Sequence, residues 1–181
     1  MDQTVQMRGV FALDEIYGRA APAPGITVVV GRSGDDIVFG GYDAQADTRE
    51  TRLAMRLVGM SGDSCSAQVS SEVVPGSELL IAQCFVGGTS NASSVVVLGA
   101  RDSADRGKVK PQPSVLAWID CGVTWFEVVN AKLVIHSSEL QLNRSTPGIA
   151  HPDLVATVGP GLFSFEDEDT FDKHCRNRPP G

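Results

Sequence analysis

The spacing of the apolar residues restricts this chain more than any other feature. Short runs rich in Val, Ile and Thr recur at intervals of roughly ten residues, and Gly, Ser, Asn, Asp and Pro break them. β-Branched side chains suit a pleated, half-buried surface, while apolar positions at helical spacing are scarce. The runs Val5–Leu13, Ile26–Gly31, Asp36–Phe39, Arg52–Val58, Ser66–Val74, Glu78–Val86, Ser94–Leu98, Val115–Asp120, Thr124–Val129 and Leu133–His136 therefore read as strands. That number of strands predicts an all-β fold, a two-sheet antiparallel β-sandwich with a jelly roll as one option.

Local signals refine this picture. Ser33-Gly34-Asp35 is a turn sequence that joins two of the runs into a hairpin. Asp47 and Glu50 before Arg52–Val58, with Gly59 after it, resemble helix caps. Leu53, Met55 and Leu57 nevertheless alternate with Arg52 and Arg56, which favours a strand. Leu79–Ile81 and Val95–Leu98 are continuously apolar, as expected of central strands covered on both faces. Ala20–Gly25 holds two prolines and reads as a stiff, extended lead-in that could bridge sheets or reach a neighbour. Arg101–Gln112 is polar, with Gly107 and Pro111, and reads as an exposed loop.

From Asn143 onward the pattern changes. Thr146-Pro147-Gly148, His151-Pro152 and Gly159-Pro160-Gly161 interrupt the chain, and Phe163, Phe165 and Phe171 lie among acidic residues. The expected division is a β-sandwich domain over residues 1–142 and an irregular C-terminal arm over residues 143–181, packed on the domain or on a partner.

Composition narrows the partners. The 181 residues fit one domain. Lys and Arg number 15 against 22 Asp and Glu, a formal charge of −7, which disfavours nucleic acid. No apolar run approaches membrane-spanning length and no leader pattern opens the chain, so neither an anchor nor a signal peptide is expected. Cys65, Cys84, Cys121 and Cys175 lack any C-x-x-C spacing. Without a secretion signal they read as free thiols, although Cys84 and Cys121 lie in runs that could be neighbouring strands.

Motifs for chemistry are weak. His136, His151 and His174 are far apart, which argues against a metal site, and the Asp pairs at 35–36, 43 and 47, and 102 and 105 match no calcium-loop spacing. No phosphate-binding glycine loop occurs. Gly62-Asp63-Ser64 is similar to the opening of one esterase family, but the chain lacks the α/β alternation and the late Asp-x-x-His of that family. Trp118 and Trp125 lie in apolar strands and read as core residues. No catalytic, cofactor-binding or metal-ligating residue is assigned, no cofactor is expected, and the chain does not read as an enzyme. The leading expectation is a structural or assembly protein, such as a virion capsid, protrusion or decoration subunit, acting by self-association or by docking on a larger protein assembly. The alternative is a carbohydrate- or calcium-dependent binding module using loops at Asp35, Asp43 and Asp102.

Overall fold

The computed structural model describes residues 4–6, 13–43, 51–57, 64–85, 93–105, 107–120, 123–137, 154–159, 162–165 and 176–177. They form β1 (Thr4–Gln6), β2 (Glu15–Ala23), β3 (Ile26–Ser33), β4 (Asp36–Asp43), β5 (Thr51–Leu57), β6 (Ser64–Ser70) and β7 (Leu79–Phe85). There follow β8 (Ser93–Asp105), β9 (Lys108–Asp120), β10 (Thr124–Val129), β11 (Lys132–Ser137), β12 (Leu154–Gly159), β13 (Leu162–Phe165) and β14 (Arg176–Asn177). The all-β expectation holds for the described residues. They contain no helix, and every strand pair is antiparallel. The segment 51–57 is a strand, so alternation outweighs the flanking cap signals.

The strands pair into three sheets where two were expected: β1-β5-β4-β3-β2, β14-β9-β8-β7-β6 and β10-β11-β12-β13. The reason lies in β7 and β8. Leu80, Ala82, Cys84, Val96 and Leu98 pack with Ala20, Val28, Val30, Ile37 and Phe39 of the first sheet. The alternate residues Leu79, Ile81, Val95 and Val97 pack with Leu133, Ile135, Phe126 and Val128 of the third. Successive side chains point to opposite faces, so an uninterrupted apolar run satisfies two neighbours at once. The prediction that Leu79–Ile81 and Val95–Leu98 are central is met.

Three local features fasten the layers. In β9 the register shifts opposite Val97 and Leu98, and the bulge sends both Leu116 and Ala117 to the face that meets the third sheet. The buried Ser93 hydroxyl donates to the Thr124 carbonyl and accepts the Thr124 N–H, each at 2.8 Å, tying β8 to β10. The Ala20–Gly25 segment is not a bridge between sheets but the hairpin end joining β2 to β3 within the first sheet, and it touches the residues just before β7. It ends β2 and turns at Gly25, the Ala21 N–H donates to Glu78 Oε2 at 2.7 Å, and the Ser77 hydroxyl donates to the Pro22 carbonyl at 2.6 Å.

The free-thiol expectation needs correction. Cys65 and Cys84 are not free thiols. The β6–β7 hairpin sets them directly opposite each other, with Cα atoms 4.1 Å apart, and they form a disulfide. Nineteen residues of sequence separation hid a nearest-neighbour pair that only strand register creates. Cys84 therefore bonds to Cys65 and not to Cys121, which with Cys175 lies outside the described residues. Of the stretch after Asn143, expected to form an irregular arm, residues 154–159, 162–165 and 176–177 are described, and these lie in strands. β12 pairs with β11, β13 with β12, and β14 with β9. Their weak propensity is overridden by free edges that the body offers for pairing.

Candidate interaction surface

Arg101–Gln112 is not a loop. β8 and β9 are both 13 residues long, and their ladder continues from Leu98↔Val115 outward to Asp105↔Lys108. β7 accompanies β8 only as far as Leu98, opposite Leu80. Beyond that point the hairpin runs on as a two-stranded arm over Gly99–Asp105, roughly 20 Å at about 3.3 Å per residue. The turn is closed at Gly107, whose φ of 75° suits glycine.

The root of the arm is pinned. The missing side chain of Gly41, on β4, leaves the space that Pro113 occupies, and Val115 enters the core between the first two sheets. Gly99 is likewise closed over by Leu116 and Leu79. The tip is open. Arg101, Asp102, Ala104, Lys108 and Lys110 are exposed, and Val109 is the most exposed large hydrophobic residue described, at 68%. Val109, Pro111, Pro113 and Val115 stand at a spacing of two, which is the strand signal in this segment. The prolines and the charges around it favoured a loop.

A second cluster lies on the outer face of the third sheet. Trp125 and His136 are directly opposite on β10 and β11 and stack with ring centroids 5.3 Å apart and planes 16° from parallel. His136 Nε2 lies 2.9 Å from Oε1 of Glu127, whose side chain is 56% exposed against 15% for the imidazole. Residues on alternate positions of the same strands, Phe126, Val128, Leu133 and Ile135, face the core. The core role expected of Trp125 is thus corrected by one step of strand alternation. Trp118 does join the core, edge-on to Phe39 at 5.5 Å.

The aspartates considered for calcium are not brought together. Asp35 and Asp36 lie at the β3–β4 turn, where Asp36 is buried and Asp35 exposed, whereas Asp43 ends the same strand. Seven steps of β4 separate Asp36 from Asp43, roughly 23 Å at about 3.3 Å per residue. Asp102 projects on the arm. No group of three metal-ligating residues occurs among the described residues. His151, His174 and Asp47 lie outside them. Compared with known protein families, curated proteins and solved structures, the chain matches none.

Proposed function

We propose that this protein is a non-enzymatic structural or assembly subunit that acts through protein–protein contacts, of the kind that builds a virion capsid, protrusion or decoration. In this reading the stacked sheets form an antiparallel sandwich, with a jelly roll as one option for its full connectivity, and the sandwich is a rigid mount for the β8–β9 arm. The arm is the observation that carries the proposal. A two-stranded ribbon contributes little to the stability of the chain that extends it; past Leu98 its β8 edge has no partner strand among the described residues, and its tip exposes Val109. Both become assets when a protein partner completes the sheet. The charge of −7 points the same way, toward protein and away from phosphate-rich partners.

The test is the absolute mass in solution, by light scattering across a concentration series with and without calcium. A defined oligomer, or mass that rises with concentration, is the expected outcome. A monomer that binds calcium or glycans would overturn the reading. The second reading, a carbohydrate-binding module, draws on Trp125 beside His136 and Glu127, an aromatic face flanked by polar groups. Glycan-dependent quenching of Trp fluorescence, lost in Trp125→Ala, would support it.

A further inference from the structure

We infer that the outer edge of β8 pairs with the same edge of a second copy of this chain, antiparallel about a two-fold axis at Ser103. The inference rests on the assembly reading and specifies its contact. It starts from the prolines of β9. Pro111 and Pro113 have no N–H, yet both lie in an unbroken ladder, opposite Asp102 and Ala100. They therefore occupy positions whose N–H would point away from β8, and the outer edge of β9 is blunted there. By the same alternation, Ala100, Asp102 and Ala104 turn their own N–H and C=O groups away from β9. This is the side on which β7 pairs with Ser94, Val96 and Leu98 further back. Past Leu98, no described strand continues that ladder, so of the two edges of the arm one is closed by proline and the other is open for pairing.

Charge selects the occupant and the register. A two-fold axis at Ser103 sets Arg101 of each copy opposite Asp105 of the other, giving two complementary pairs from one residue pair. Both positions are of the class that exchanges no main-chain hydrogen bonds across the new contact, where opposed side chains come closest. Asp102 and Ala104 then face each other and exchange the main-chain bonds. An axis at Asp102 would instead put two carboxylates together, and one at Ala104 would shorten the paired stretch to residues 103–105. Lys108 lies opposite Asp105 and Gln112 opposite Arg101 within each arm, so each row across the paired arms alternates in charge over three strands and ends on a neutral residue. The contact is small, which places the association at the weak end and makes concentration the useful variable.

The experiment is sedimentation equilibrium of the full chain over a wide concentration range. Wild type should show a monomer–dimer equilibrium. Asp102→Pro and Ala104→Pro remove an outward N–H and no bond internal to the arm, so each should weaken self-association by about tenfold or more while the circular dichroism and melting temperature stay unchanged. Arg101→Asp and Asp105→Arg should each weaken it several-fold, and the double exchange R101D/D105R should restore it. Dimers indifferent to both proline variants and to the single reversals would overturn the inference and leave the assembly reading standing on another surface. A wild-type monomer at every concentration would overturn it too, leaving only docking on a different protein. If the proline variants fail to fold, the charge exchange decides by itself.

Discussion

The two halves of β8 both pair with β9, yet one is flanked by β7 and closed into the core while the other stands in water. Ser93–Leu98 is closed on both faces, with Val95, Val96, Val97 and Leu98 each at 0% exposure, whereas Arg101, Asp102 and Ala104 stand in water. The inner half is held by packing on two sheets, the outer half by its ladder with β9 and by the seat of Pro113 at Gly41. The same backbone geometry can therefore be core or appendage, and the identity of the side chains determines which. The ladder with β9 is common to both halves, and the inner half has a second ladder with β7. Beside that second ladder, the difference in stability comes from apolar area removed from water, at roughly 25 cal/mol per Å².

That contrast can be broken in a graded way. Leu98→Ala, at the last fully buried position before the arm, should cost about 2–5 kcal/mol in urea unfolding, because a close-packed interior on two sheets cannot collapse to fill the void. A loss below about 1 kcal/mol would mean that the inner half is not the core described. Removing the cross-strand disulfide with Cys65→Ala and Cys84→Ala should cost about 3 kcal/mol, by the chain-entropy account for a closed loop of this size. The check is thermal unfolding, in which reductant should lower the wild-type melting temperature and leave the variant where it is.

Ser93→Ala strands the buried N–H of Thr124 and should cost about 1–3 kcal/mol. Smaller than these three effects, Gly41→Ala tests the seat of the arm. A Cβ at Gly41 collides with Pro113, which cannot rotate away, so a loss of about 1–2 kcal/mol is expected, with faster amide exchange along Gly99–Asp105. Unchanged exchange would show that the arm is held by its own ladder and not by Gly41. Smallest of all, Val109→Ser at the tip should change stability by less than about 0.5 kcal/mol, since the side chain is already in water. A larger loss would place the tip against the body.

Much of the fold is legible in the residues. Ile26–Gly31 and Asp36–Phe39 announce a hairpin, and β3 and β4 form it around Gly34, whose φ is 62°. Thr124–Val129 matches β10 at both ends. The continuous apolar runs also state their own central position. β2 was missed because Glu15–Ala23 contains Gly18 and Pro22, poor strand formers. They are tolerated because Gly18 lets β2 approach Ala67 and Leu80 and because Ser77 and Glu78 satisfy the backbone around Pro22. The arm was missed for the opposite reason, since its residues have a strand's spacing without a strand's burial.

What the sequence determined by itself is the class of element, because alternation, β-branching and turn residues act within a few positions of one another. It also determined that β7 and β8 must be covered twice. Only the tertiary structure decided which strands meet, and with them the Cys65–Cys84 bond, the Trp125–His136 stack, the third sheet and the arm. Register is the reason. It is set by hairpin closure and by the burial of one face against another, and a shift of one residue would exchange every inward side chain for an outward one.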